Sequence, residues 1–325
     1  MPATEPPQYA PLVEVVRSGF REGVHYGTVA GLTASGAVGV TRGAPGTPVL
    51  PRSAAKPFQA LAALRAGAAI SGEQIAVAAG SHNGEGIHTE TVRTILADAG
   101  LGPADLQCPA DRPLGPAARE ELVRTGGEPT PLLMNCSGKH AAMLSACVQQ
   151  GWDTGSYLDP QHPLQRLVRD TIEELCGERV AHTTVDGCGA PQLAVSLEGL
   201  AHGLQTMVRA AEGSAEAAVV RAMRDFPAHV AGEERDDTTV MRRLPGTVSK
   251  IGAEGVIAVA TATGETVAVK VSDGDATTRA RTMVALSTLA ELGVDTAPVG
   301  DMLSTDIHGG GRTVGSIRPI APGSA

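Results

Sequence analysis

Aromatic side chains are nearly absent from this chain, which has one tryptophan, three tyrosines and three phenylalanines among its 325 residues. A hydrophobic core must therefore be built mainly from alanine, valine, leucine and isoleucine. Hydrophobic residues make up 42% of the chain and charged residues 19%, which is typical of a globular protein. The length suffices for one large domain or for two lobes around a shared core.

Basic clusters, long apolar runs and a secretory leader are also missing. The formal net charge is −9 and no basic run occurs, which does not match the electrostatic pattern of a nucleic-acid-binding protein. No stretch reaches the roughly 18 to 20 apolar residues of a membrane helix. The N-terminus has no basic region followed by an apolar one. We therefore expect a cytoplasmic protein that binds neither nucleic acid nor membrane.

Lysine and asparagine are the scarcest polar residues. Only four of the 26 basic residues are lysines, and the only asparagines are Asn83 and Asn135. Arginine can replace lysine in surface solvation, but only lysine readily loses its proton when it is buried or lies beside other cations. The remaining lysines are therefore candidates for chemistry, although survival by drift is an equally simple explanation. The five cysteines have no disulfide-framework spacing, so their thiols are free for packing, metal binding or catalysis.

Hydrophobic periodicity divides the chain into strand-rich ends and a helical middle. Short β-rich segments such as LVEVVRSG and HYGTVAGLT open the chain, and VIAVATATG and TVAVKVSDG return near its end. Helical periodicity dominates between them. We predict a single domain over residues 1–325 of the α/β (α+β) class. Residues 1–52 and 245–325 would form one antiparallel sheet with flanking helices, residues 53–244 a mainly helical lobe, and the active site would lie in the cleft between them.

Three short motifs use the scarce residues. Ser53 and Lys56 form S-x-x-K at the entrance of a predicted helix, where the amine can take the proton of the hydroxyl. Ser81 and Asn83 form S-x-N in a glycine-bracketed loop, and Lys250 with Gly252 forms K-x-G on a predicted strand. Singly, these motifs are equally typical of a helix cap, a turn and a charged strand edge.

Together the motifs occur in the chain order of the penicillin-binding proteins and serine β-lactamases. The combination predicts a serine-dependent amidohydrolase. A β-lactamase or peptidase of this type would be exported to the cell wall, which the absence of an export signal disfavours. A sensor protein that forms an acyl adduct without turnover is the non-enzymatic alternative.

Longer segments resemble a narrower family, the bacterial L-asparaginase II proteins of the Rhizobium type. The resemblance runs through PRSAAKPFQA, GSHNGE, NCSGKHAAML, DGCGAP, HVAGEERDDT and SKIGAEGV. It implies a β-lactamase-like fold, a homodimer, and hydrolysis of L-asparagine to L-aspartate and ammonia by two serine–lysine pairs. These pairs would be Ser53 with Lys56 and Ser81 with Lys250. A glutaminase of similar fold is the alternative, because one methylene typically changes specificity by only about 1 to 3 kcal/mol.

The same resemblance implies a zinc ion held by Cys136, Lys139 and Cys188. Thiolates are good zinc ligands, but lysine is a rare one, so chemistry alone favours His140 as the third ligand and leaves the choice open. A further alternative is that Cys136 is a buried apolar residue and His140 an ordinary helix histidine.

An asparagine substrate also needs partners for its α-carboxylate and α-ammonium groups. The candidates are Arg52, Asn83, Glu85, His140, Asp186, Arg235 and Asp237. We rank Asp186 first, because it lies two residues from Cys188. For each candidate, an ordinary surface side chain is the alternative explanation.

Overall fold

A computed structural model describes residues 8–321 of the chain. The first seven residues, which contribute to the expectation about export, lie outside the described residues. The strands are β1 (Ala10–Arg17), β2 (Phe20–Leu32), β3 (Val38–Arg42), β4 (Pro48–Val49), β5 (His182–Val185), β6 (Pro191–Ser196), β7 (Val248–Gly252), β8 (Val256–Ala260), β9 (Thr266–Val271), β10 (Thr305–Gly309) and β11 (Arg312–Pro319).

The helices lie mostly between β4 and β7. They are α1 (Lys56–Arg65), α2 (Glu73–Ala78), α3 (Gly86–Asp98), α4 (Pro116–Arg124), α5 (Ser137–Gln150), α6 (Pro163–Cys176), α7 (Leu197–Val208), α8 (Ala215–Asp225), α9 (Pro227–Val230), α10 (Asp236–Arg243) and α11 (Arg281–Glu291). Short 3-10 turns precede α1 and follow α3 and α11.

The main sheet is antiparallel and is formed by both ends of the chain, as predicted. Its strand order is β10-β11-β1-β2-β9-β8-β7, with β3 paired to β2. Strands from the two ends meet twice, where Val15 lies opposite Ile317 and Val29 opposite Val269. The fold class is therefore a mixed α/β arrangement with an antiparallel sheet and helices. The lobe boundaries at residues 52 and 245 stay a prediction.

Two hydrophobic clusters cover the two faces of this sheet. On β8, Val256 and Ala258 belong to the cluster shared with the helical middle, whereas Ile257 and Val259 belong to the cluster shared with α11. Successive side chains of a strand point to opposite faces, so burial of all five β8 residues requires cover on both sides. The sheet is thus the central layer of the molecule.

A small second sheet interrupts the helical middle, which periodicity did not predict. It has the order β4-β6-β5, and every residue of β6 is buried. A fully buried strand shows no polar alternation, so its sequence PQLAVS cannot be distinguished from a buried helix segment by periodicity. The loop between β5 and β6 carries Asp186 and Cys188.

The edge strand β7 is covered by the 3-10 turn Arg52–Ala55, which leads into α1. A Cβ atom on Gly252 would lie 2.6 Å from the carbonyl oxygen of Pro51 and 3.2 Å from the amide nitrogen of Ala54. Glycine is therefore needed for strand and turn to approach this closely. Gly252 thus brings the Lys250 strand against the Ser53 turn.

Within residues 8–321, the helices include none that is both long enough and apolar enough to cross a membrane.

Candidate active site

Three of the four lysines are almost fully buried. Lys56 is 1% exposed, Lys139 2% and Lys250 0%. Lysine is almost never fully buried unless it is paired, because removing the ammonium from water is costly. Lys270 is half-buried and donates to the carbonyl of Glu254. The burial agrees with the expectation that the few lysines left in the chain serve chemistry.

The Lys56 amine is held by three acceptors from two other segments. Its Nζ donates to the carbonyl of Gly80 at 2.5 Å, to Ser81 Oγ at 3.0 Å and to the carbonyl of Asn135 at 3.3 Å. Ser53 lies one turn before Lys56, half-buried, and its carbonyl accepts the Lys56 backbone N–H. The partner of Lys56 thus differs from the predicted one, because its side-chain hydrogen bond goes to Ser81.

The S-x-N motif occupies the loop between α2 and α3, as predicted. Backbone N–H groups of Ser81 and Asn83 each donate at 2.7 Å to the carbonyls of Val230 and Ala231. A Cβ on Gly232 would collide with the Asn83 side chain at 2.0 Å, so that glycine makes room for the loop. The loop is consequently held in place by main-chain bonds to the segment before α10.

Three of the predicted substrate-binding residues cluster at this loop, two on it and one at the start of α10. Asn83 Nδ2 donates to Glu85 Oε1 at 2.8 Å, and Arg235 Nη1 donates to Asn83 Oδ1 at 3.1 Å. Glu85 and Arg235 are both half-buried, so one carboxylate and one guanidinium border the loop that carries Ser81.

Lys250 lies beside a buried carboxylate. Its Nζ is 3.4 Å from Asp237 Oδ2 and donates to the carbonyl of Ile251 at 2.6 Å. Asp237 also accepts from Ser249 Oγ at 2.8 Å and from the Ile251 N–H at 3.0 Å. Burial lowers the pKa of Lys250 to about 8, Asp237 opposes that shift, and the positive charge of Lys56 adds to it. Repulsion by the Lys56 charge lowers the pKa of Lys250 less than burial does.

A strained arginine precedes Ser53. Arg52 has a φ of +51°, in the left-handed region that residues with a Cβ rarely adopt. Its Nε donates to Asp186 Oδ1 at 2.9 Å. The ion pair joins the Ser53 turn to the β5–β6 loop, so both predicted residues lie at the site.

The two predicted zinc-binding cysteines come together with Lys139. Lys139 Nζ is 3.1 Å from Cys188 Sγ, and Cys136 Sγ is 3.0 Å from Asn135 Oδ1. A hydrogen bond from Cys136, together with Lys139 and His140, lowers the pKa of Cys188 despite its burial. Burial lowers the pKa of Lys139, but the two thiols more than offset it and the net direction is upward. Cys188 is therefore the more acidic thiol of the pair.

His140 does not lie with the charged substrate-binding candidates. It is fully buried, and its Nδ1 is 2.7 Å from Tyr157 Oη, which accepts the Gln107 N–H at 3.0 Å. Both neutral tautomers of the imidazole fit this contact, because the tyrosine hydroxyl can donate to Nδ1 or accept from it. The other ring nitrogen, Nε2, is buried without a hydrogen-bond partner, and the ring lies beside Cys188. Tyr157 was not predicted from the sequence. Its only signal there is scarcity, because the chain has three tyrosines.

The donor chemistry around Cys188 fits zinc. Two sulfurs, the Lys139 amine and the unpartnered buried Nε2 of His140 lie together, and zinc prefers sulfur and nitrogen ligands. No group of three or more histidine, cysteine, aspartate or glutamate side chains in residues 8–321 is placed to hold a metal ion. Lysine would therefore have to complete the set.

Buried lysines that meet serines are typical of hydrolases that attack amide or ester carbonyls. The chain belongs to the L-asparaginase II family, whose model matches residues 13–319. This confirms the family predicted from the sequence and supports an amidohydrolase. A search of curated proteins finds no match to the chain.

Several solved structures are similar to the chain at low identity. A β-lactamase from Mycobacterium bovis has 15% identity and a TM-score of 0.43, covering 82% of this chain and 95% of that one. A putative β-lactamase from Bacteroides dorei has 14% identity and a TM-score of 0.41, with coverages of 76% and 84%. A mutant simvastatin synthase from Aspergillus terreus has 11% identity and a TM-score of 0.40, with coverages of 82% and 93%.

Proposed function

We propose that the protein is an L-asparaginase, which hydrolyses the side-chain amide of L-asparagine to L-aspartate and ammonia through a covalent acyl-enzyme. One observation carries the proposal. The buried amine of Lys56, which lies one turn after Ser53, donates a hydrogen bond to Ser81 Oγ. An amine that is bonded to one serine and lies one turn after another can take a proton from the second and pass it through the first.

In the acylation step, Ser53 Oγ attacks the substrate carboxamide carbon while Lys56, in its amine form, takes the hydroxyl proton. Ser53 is the half-buried serine of the two, whereas Ser81 is 7% exposed and already bonded to Lys56. The Ser53 backbone N–H and a second donor near Gly252 would stabilise the oxyanion, each contributing about 3 kcal/mol. Collapse of the intermediate breaks the C–N bond and forms an ester on Ser53.

Protonation of the leaving nitrogen is assigned to Ser81. Its hydroxyl receives the Lys56 proton through their 3.0 Å hydrogen bond as its own proton moves to the departing ammonia. Water then attacks the ester with Lys56 as base, which releases L-aspartate and restores the Ser53 hydroxyl. The pKa of about 8 for Lys250 makes it a second proton-transfer group near neutral pH.

Charged groups of opposite sign are available for the α-groups of the substrate. Arg52 would bind the α-carboxylate and Asp186 the α-ammonium, since their ion pair adjoins the Ser53 turn. Asn83 and Glu85, on the loop that carries Ser81, would contribute from the other side together with Arg235, which precedes α10.

Zinc is a second part of the proposal. Cys136, Lys139 and Cys188 would hold it, with His140 beside Cys188. The ion would orient the substrate or polarise its carbonyl. Removal with a chelator, verified by metal analysis, should lower the rate of ammonia release; unchanged kinetics would assign the ion a structural role.

Ammonia release from L-asparagine, L-glutamine and a β-lactam tests the function. We expect steady release from L-asparagine by the wild type, and loss of it in Ser53→Ala with the fold retained. Faster release from L-glutamine would make the protein a glutaminase, and one acyl adduct without turnover would make it a sensor. Normal activity of Ser53→Ala would refute the assignment of the nucleophile. A cytoplasmic location and a homodimer, both expected from the sequence and the family, complete the proposal.

A further inference from the structure

His82 lies at the centre of the site, although no step of the proposed reaction uses it. It is 0% exposed and stands between Ser81 and Asn83. Its backbone N–H donates to the carbonyl of Asn135 at 3.2 Å. Its ring Nδ1 accepts the N–H of Gly84 at 3.1 Å, and Nε2 lies 2.9 Å from Ser137 Oγ in the first turn of α5.

These contacts define the donor and the acceptor of each hydrogen bond in the series that runs from Gly84 through His82 and Ser137 to Leu132. The Gly84 N–H can only donate, so Nδ1 carries a lone pair and the proton of the neutral ring is on Nε2. Nε2–H therefore donates to Ser137 Oγ, which donates to the carbonyl of Leu132 at 2.9 Å. Burial, and then the charges of His88 and Lys56, lower the pKa of His82 well below its usual range, which agrees with a neutral ring.

The same contacts join the two segments that hold the Lys56 amine. Lys56 Nζ donates to the carbonyls of Gly80 and Asn135, which lie in different parts of the chain. His82 is two residues after Gly80 and shares the Asn135 carbonyl with Lys56. Its ring extends the connection to Ser137, which adjoins Cys136. A shift of α5 relative to the loop would therefore move an acceptor of Lys56.

We propose that His82 is a positioning residue, which aligns Lys56 with Ser81 by tying the loop of Gly80 and Ser81 to the start of α5. It touches neither substrate nor reacting atoms in the proposed mechanism. The kinetic part of this inference rests on the proposed function. The positioning depends on the hydrogen bonds of the ring rather than on its bulk. The bulk packs against His88, with ring centres 5.0 Å apart and planes 13° from parallel.

Phenylalanine at position 82 tests this distinction, since it keeps a stacking ring and removes both ring hydrogen bonds. His162 provides a matched control, because its Nδ1 also accepts the N–H two residues ahead, of Leu164 at 3.1 Å. Its Nε2 donates to the carbonyl of Asp153 at 3.0 Å, and its partners do not contact Lys56. We expect His82→Phe to lower kcat about 10- to 100-fold with KM within about threefold, as for a small misplacement of catalytic groups. His162→Phe should lose thermal stability without that loss of kcat.

Lysine scarcity allows a readout that does not depend on activity. Protein grown with 13Cε-labelled lysine should give four side-chain NMR signals, and Lys56→Arg identifies that of Lys56. The Lys56 signal should shift in His82→Phe and stay in place in His162→Phe. If His82→Phe does not fold, Ser137→Ala, which keeps the imidazole and removes its acceptor, should shift the same signal and lower kcat in the same direction.

Unchanged kcat and an unchanged Lys56 signal in folded His82→Phe would overturn the proposal, and so would an unchanged signal in Ser137→Ala. A wild type that releases no ammonia from L-asparagine would refute the proposed function instead. The NMR comparison would still decide the role of His82 in that case.

Discussion

Burial of Lys250 should make the stability of the protein rise with pH above about 8. Its ammonium is 0% exposed, and the nearby Asp237 carboxylate, 3.4 Å away, only partly compensates the loss of water. Replacement by methionine in Lys250→Met removes the titrating group and keeps a side chain of similar length. Asp237 retains its hydrogen bonds from Ser249 and the Ile251 N–H in this variant.

The size of the effect follows from the pKa of Lys250 in the two states. Folding lowers that pKa from 10.5 to about 8. Between these values the unfolded chain binds the proton and the folded protein does not, so the free energy of unfolding increases with pH. Below pH 8 Lys250 is protonated in both states, and the folded state bears the full cost of burying its charge. The pKa difference converts to about 3 kcal/mol, at about 1.4 kcal/mol per pKa unit. This cost is relieved as the pH rises from 8 to 10.5.

Urea unfolding of wild type and Lys250→Met at half-unit pH steps from 6.5 to 10.5 measures the effect. Thiols and tyrosines titrate in the same range, but they do so in both proteins, so the difference between the two free energies isolates Lys250. That difference should be flat below about pH 7.5 and then move by about 3 kcal/mol in favour of the wild type. Parallel curves, or a difference that moves in favour of the variant, would refute the reasoning.

Three further predictions concern other parts of the site. Lys56→Arg should abolish ammonia release with an unchanged circular dichroism spectrum, because guanidinium does not lose its proton; residual activity above about 1% of wild type would contradict the proton-transfer role. Gly252→Ala should cost about 1 to 3 kcal/mol in urea unfolding and lower kcat, because its Cβ would lie 2.6 Å from the Pro51 carbonyl oxygen, whereas Gly102→Ala, with open space around its Cβ, should not. Tyr157→Phe removes the hydroxyl that orients the neighbouring imidazole and should weaken zinc retention against a chelator about 10-fold or more; equal retention would show that this hydroxyl has no influence on the metal site.

Hydrophobic periodicity predicted most of the secondary structure, because most elements have one face on a core. Helices α1, α5 and α6 form in the middle of the chain, where helical periodicity dominates, and strands β1, β2, β8 and β9 form the sheet from both chain ends. The strands β5 and β6 were not predicted. Their segment is short, and β6 is buried on every side, so it shows neither of the two periods that distinguish strand from helix.

Scarcity of lysine was the most informative feature of composition. It pointed to Lys56, Lys139 and Lys250, all of which are buried in or beside the site. Composition could not identify the residues that orient them. In the sequence, Asp237 is one of many acidic residues, and its contact with Lys250 is seen only in the structure. The residues around His82 predict a turn, and they do not show that its ring bonds to a distant segment.

The sequence by itself determined which residue types were available for chemistry, the family, and most of the strands and helices along the chain, because these depend on composition and on neighbours within a few positions. The hydrogen-bond partner of Lys56 was decided only by the tertiary structure. The spacing of Ser53 and Lys56 brings their backbones within one turn, but the direction of a flexible four-carbon side chain depends on its best acceptors. Those acceptors are Gly80, Ser81 and Asn135, which packing brings together from positions 24 to 79 residues away.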